Sequence, residues 1–151
     1  MSQIANQAAA VFNQGFNCAQ AVLKCCGETQ GLPAETALRV AGVFGGGMAR
    51  TGQTCGAVTG ALMAIGLRHA MVTPGDDAAR QRATDAGREF LRRFTAQHGS
   101  NVCRELLGCD LSTPEGMARM RQEDLHHKVC EGLVRDAADM VQEILAASPR
   151  T

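Results

Sequence analysis

The chain has 151 residues, and its 15 Lys and Arg balance 15 Asp and Glu, so the formal net charge is zero. That balance argues against nucleic acid or an anionic membrane as the main partner, because both attract a surplus of positive charge. Trp and Tyr are absent, which removes base-stacking platforms and aromatic cages from consideration.

Residues 2–14 place Ile4, Ala8, Val11 and Phe12 at the spacing of one helix face, and Gly15 ends the run. Asn17 can cap a second helix, expected from Cys18 to about Cys26. Gly27 and Gly31-Leu32-Pro33 break the chain, and a third helix is expected from Pro33, as a first-turn proline, to about Val43. Gly42 to Thr54 is the most glycine-dense stretch and reads as a loop with unusual backbone angles. The next helix opens at Thr54 or Cys55 and runs to about Met71. Gly56, Gly60 and Ala64 repeat along it at four-residue spacing, a small-residue face that lets another backbone approach closely. No charge precedes Arg68 in this helix, which marks it as the buried central element.

Pro74-Gly75-Asp76 supplies a turn and a cap for a long charged helix from Asp77 to about Gln97. Its expected inner face is Ala83, Ala86, Phe90, Leu91 and Phe94. His98-Gly99-Ser100 stops it, and Ser100 or Asn101 caps a short helix holding Val102, Cys103, Leu106 and Leu107. Ser112, three residues before Glu115, reads as a capping box. The last helical region, about Thr113 to Ala147, carries a stripe of Leu133, Val134, Ala137, Met140, Val141 and Ile144, and is either continuous or broken near His126 and His127. No stretch alternates with period two, and no repeat or linker is visible. The expected fold is all-α: residues 1–151 as a single-domain bundle of about six to seven helices.

The N-terminal Met1-Ser2-Gln3-Ile4-Ala5-Asn6 lacks the basic and then apolar regions of a signal peptide, so a cytoplasmic location is expected. The longest uncharged apolar stretch, Thr54 to Leu67, falls short of the roughly 20 residues of a membrane span, so membrane insertion is not expected. Seven cysteines in such a chain argue against a disulfide framework and leave buried packing, reactive thiols or metal ligation.

The glycine loop resembles a phosphate-binding loop from Gly47 to Thr54, but Gln53 stands where the lysine belongs and no strand precedes it, so nucleotide binding is not expected. Cys55 is the sharpest candidate. It is expected in the first turn of a helix after a glycine loop, where unpaired N–H groups and the helix dipole favour a thiolate. Cys18 and Cys103 have similar positions near helix starts. Cys130 lies four residues after His126 and three after His127, a spacing that suits either a metal site or a thiol beside a base. Cys25 and Cys26 are adjacent, with one expected in the core and the other half-exposed, and Cys109 reads as packing.

Cys18, Cys55-Gly56-Ala57-Val58-Thr59-Gly60, Cys103 and Cys130 together resemble the C_GCAxxG_C_C family of redox-active proteins. The resemblance extends to Phe16-Asn17-Cys18-Ala19-Gln20, to Gly45-Gly46-Gly47-Met48 and to Cys103-Arg104-Glu105-Leu106-Leu107-Gly108. It implies redox chemistry on those four cysteines and brings no substrate, cofactor or partner with it. Three functions follow from the residues. The first is thiol redox chemistry, with Cys55 as the low-pKa attacking thiolate, Cys18, Cys103 or Cys130 resolving, and an unidentified redox partner. The second is a zinc or [2Fe–2S] site on the same four cysteines, joined by His126 or His127. The third is a non-enzymatic interaction module in which the Gly56 face serves a homodimer.

Overall fold

The computed structural model describes residues 2–148. Among them are eight α-helices and no strand: α1 (Gln3–Asn13), α2 (Cys18–Glu28), α3 (Ala34–Val40), α4 (Gly56–His69), α5 (Asp77–His98), α6 (Cys103–Leu107), α7 (Pro114–Gln122) and α8 (Glu131–Ala147). A π-helical turn, His126–Cys130, leads directly into α8. The fold is therefore all-α and a single domain. No helix among the described residues is long and apolar enough to cross a membrane.

The apolar stripes read from the sequence are the buried ones. Ile4, Ala8, Val11 and Phe12 of α1 are buried, as are Leu133, Val134, Ala137, Met140, Val141 and Ile144 of α8. In α5, Ala86, Phe90 and Phe94 are buried, while Ala83 and Leu91 are only half-buried. Helix α4 is central and packs against α2, α5 and α8. Its small-residue face is used within the chain. A methyl group on Gly60 would meet the Ala19 carbonyl oxygen at 2.8 Å, and one on Gly56 would meet the Ala19 nitrogen at 3.0 Å and the Cys18 Cβ at 3.1 Å. The face expected to serve a dimer is thus covered by α2.

Helix boundaries differ from the sequence expectation where the surrounding chain competes. Helix α3 stops at Val40 rather than Val43, because Phe44 N–H turns back to the Ala41 carbonyl. Helix α4 ends at His69, since Ala70 is extended. Thr113, not Ser112, caps α7 by accepting from Gly116 N–H; Ser112 is held in a turn by Asp110. The last helical region breaks at Asp124, whose φ of 52° lies in the left-handed region. Cys25 and Cys26 are both buried, so the expected half-exposed partner does not occur.

Candidate functional site

Four backbone devices position the cysteines. Cys18 opens α2 behind a full capping box: Asn17 Oδ1 accepts from Gln20 N–H at 2.8 Å, and Gln20 Oε1 accepts from Asn17 N–H at 2.9 Å. The same two side chains donate to the end of α3, Asn17 to the Gly42 carbonyl and Gln20 to the Leu38 carbonyl. The cap that starts α2 therefore also fixes where the glycine loop begins.

That loop is a left-handed turn. Gly46, Gly47, Met48, Ala49 and Arg50 all have φ between 54° and 72°. Three of these are not glycine, at about 1–2 kcal/mol each. Long-reach bonds hold the turn, among them Ala49 N–H to the Val43 carbonyl at 2.7 Å and Gln53 N–H to the Gly47 carbonyl at 2.8 Å. Glycine is required at 47 on two grounds: its φ is 72°, and a Cβ there would lie 2.7 Å from the Cys103 Cβ and 2.5 Å from the Gln53 nitrogen.

The third device is a single antiparallel bridge between Thr54 and Val102. Cys55 N–H donates to the Asn101 carbonyl at 2.8 Å, and Cys103 N–H donates to the Gln53 carbonyl at 2.6 Å. This pairing holds Cys55 extended, so Cys55 is the N-cap of α4 and lies outside its first turn. It also brings Cys103 beside Cys55, although 48 positions separate them. Val102 caps α6 without a side-chain bond, while Ser100 accepts from Val102 N–H and donates to Glu105.

The fourth device is the π turn, in which Glu131 N–H bonds to the His126 carbonyl and Cys130 ends the turn. One inserted residue per turn re-aims side chains, which is why such turns recur at functional sites. His126 stacks on Phe12, with ring centroids 3.9 Å apart and an interplanar angle of 12°. His127 turns outward and pairs with Asp124 at 2.8 Å.

Cys18, Cys55, Cys103 and Cys130 line one cavity of about 480 Å³, and none is disulfide-bonded. Its walls are largely apolar, with Phe12, Phe16, Leu107, Leu133, Met117 and Met120 among them. His126, Asp124, Arg50 and Arg121 also border it. His127 and Cys25, Cys26 and Cys109 do not. Among the described residues no three His, Cys, Asp or Glu side chains form a group that could hold a metal ion.

Electrostatics divides the four thiols. Cys18 and Cys130 approach each other closely enough across the cavity to titrate as a pair. The neighbouring Cys18 thiol holds the Cys130 pKa below its ordinary value, and the same approach, with burial, raises Cys18 well above it. Cys103 is pushed up to about 12 by burial and by the neighbouring Cys55 and Cys130. Cys55 is pushed up to about 11, chiefly by burial. The N–H groups of Ala57 and Val58 face its sulfur and pull the other way, but they form no cap bond of normal geometry and do not offset burial. Burial thus works against the low-pKa thiolate expected at Cys55, and the downward pull falls on Cys130 of the Cys18–Cys130 pair. Burial also lowers the His126 pKa, while Asp124 raises that of His127.

Sequence reasoning missed the charged and aromatic border of this cavity. Arg50, Arg121 and Asp124 belong to no motif, and the Phe12–His126 stack joins residues 114 positions apart. The only local signal was Arg50 within the glycine-dense loop. No curated protein and no solved structure matches the chain. The family model described as "Putative redox-active protein (C_GCAxxG_C_C)" matches residues 16–144, and the chain belongs to that family.

Proposed function

We propose that the protein carries out thiol–disulfide chemistry with Cys18 and Cys130 as the reacting dithiol. The observation that carries this is that Cys18 and Cys130 line one cavity together with Cys55 and Cys103, where the Cys18 thiol and the Cys130 sulfur shift each other's titration in opposite directions. Reactivity follows the thiolate fraction, and only Cys130 is held below its ordinary pKa. Cys18, protonated and in contact, is the resolving thiol. Cys55 and Cys103, both raised, are reserve thiols that line the same space.

The test is alkylation of the native reduced protein with a small reagent across a pH series, followed by mass mapping. Cys130 is expected to label first, and Cys18→Ser to move the midpoint of Cys130 labelling to higher pH. Mild oxidation should yield a Cys18–Cys130 disulfide. First labelling at Cys55, or oxidation that never joins Cys18 to Cys130, would overturn the assignment.

A further inference from the structure

The cavity also carries information about what reaches the dithiol. Cys130 is 7% exposed and Cys103 equally so, and Cys55 is 4% exposed. Cys18 is partly exposed, but the attacking Cys130 is buried and is reached through the cavity, whose volume of about 480 Å³ is the size of a small-molecule site. Apolar walls suit a compact apolar body. The charges at the border are Arg50, Arg121 and Asp124. Asp124 is already bonded to His127, and neither arginine has an ion-pair partner among the described residues. Arg50 is held there by the strained turn: its φ is 60°, and its side chain folds back so that its Cγ lies 2.8 Å from where a Gly46 Cβ would stand. Backbone strain retained at a cavity border is characteristic of ligand-handling segments.

We infer that the cavity admits a low-molecular-weight organic disulfide with an apolar body and a carboxylate, the carboxylate meeting Arg50 and Arg121 while the disulfide meets Cys130. This rests on the thiol–disulfide reading above. In the step, the Cys130 thiolate attacks one sulfur of the substrate RS–SR′, the S–S bond breaks, and R′S⁻ leaves. The Cys18 proton passes to R′S⁻, giving R′SH. The Cys18 thiolate then attacks the Cys130 mixed disulfide, forming the Cys18–Cys130 bond and releasing RS⁻. The substrate is reduced by two electrons to two thiols, and the protein dithiol is oxidised by two. A disulfide fits better than a hydroperoxide because a thiolate leaves without strong acid assistance. The imidazole beside the sulfurs, His126, is held neutral by burial and supplies no such acid.

The test uses reduced full-length protein with two aromatic disulfide probes, the dicarboxylate dithiobis(nitrobenzoic acid) and the uncharged dithiodipyridine, each followed by released chromophore and by mass mapping. The ratio of anionic to neutral rate should fall about threefold for Arg50→Gln or Arg121→Gln and about tenfold for both together, the scale of exposed charge contacts. Raising salt should shrink the wild-type ratio in the same sense. A ratio unchanged in the double variant, with the Cys18–Cys130 disulfide still forming, overturns the substrate class and leaves the dithiol reading standing. Failure of both probes to produce that disulfide overturns both.

Discussion

Two alanine substitutions in one helix should have opposite signs. Gly60 and Gly66 both lie inside α4. In an open helical site, Gly→Ala stabilises by about 1 kcal/mol, through backbone entropy and helix propensity. Gly66 is such a site, with nothing within 4 Å of an added Cβ. At Gly60 the added Cβ meets the Ala19 carbonyl oxygen at 2.8 Å, the Ala19 Cα at 3.1 Å and the Val22 Cβ at 3.2 Å. Two of these are backbone atoms of α2, so relief requires the helices to separate. Overpacking of that kind costs about 3 kcal/mol at the upper end, and the propensity gain leaves a net loss of about 2 kcal/mol. For a chain of this size the shifts are about 2–4 °C upward for Gly66→Ala and about 4–8 °C downward for Gly60→Ala. Thermal unfolding followed by circular dichroism measures both. Because Cys18 begins α2, Gly60→Ala should also weaken the Cys18–Cys130 contact and slow alkylation of Cys130. If Gly60→Ala raises Tm as Gly66→Ala does, α2 and α4 do not meet through the small-residue face, and the placement of Cys18 argued from it fails.

Ala49 is exposed and left-handed, with φ 54°, so Ala49→Gly should stabilise by about 0.5–1 kcal/mol, the relief of strain exceeding the added freedom of the unfolded chain; an unchanged or lower denaturant midpoint would count against the turn. Burial lowers the pKa of His126 below its ordinary 6.5, so the folded state favours the neutral ring. Its contribution is fully present above the unfolded pKa and is lost as pH falls through the lower folded pKa. Tm should therefore decline on acidification below about pH 6.5. His126→Phe, which keeps a ring on Phe12, should flatten that decline. The His127–Asp124 pair has the opposite sign for the histidine and is largely exposed, so it offsets little.

Helix content and core faces were legible in the sequence because both depend on local periodicity. The stripes of α1 and α8, the uncharged α4 and the Asn17 cap all state their environment within one or two turns. The four pattern cysteines were legible as a set for the same kind of reason, each lying at or near a helix start or beside histidines. Two things were not legible. The exact start of α4 was displaced because Thr54 and Cys55 pair with a segment from the far side of α5, and no local signal records that partner. The balance at each thiol was not legible because helix-start geometry is local, whereas burial and the approach of Cys18 to Cys130 are set by how α1, α2 and the π turn enclose the cavity.

By itself, then, the sequence determined an all-helical domain and its core faces, and it singled out the four cysteines that line the cavity. Backbone preference and hydrophobic period act over a few residues and survive without neighbours. Only the tertiary structure sets the opposing influences on the thiols, burial pushing Cys55 up and the neighbouring Cys18 pulling Cys130 down. A thiol's pKa is a balance between desolvation and the charges and donors around it, and each of those comes from a distant part of the chain.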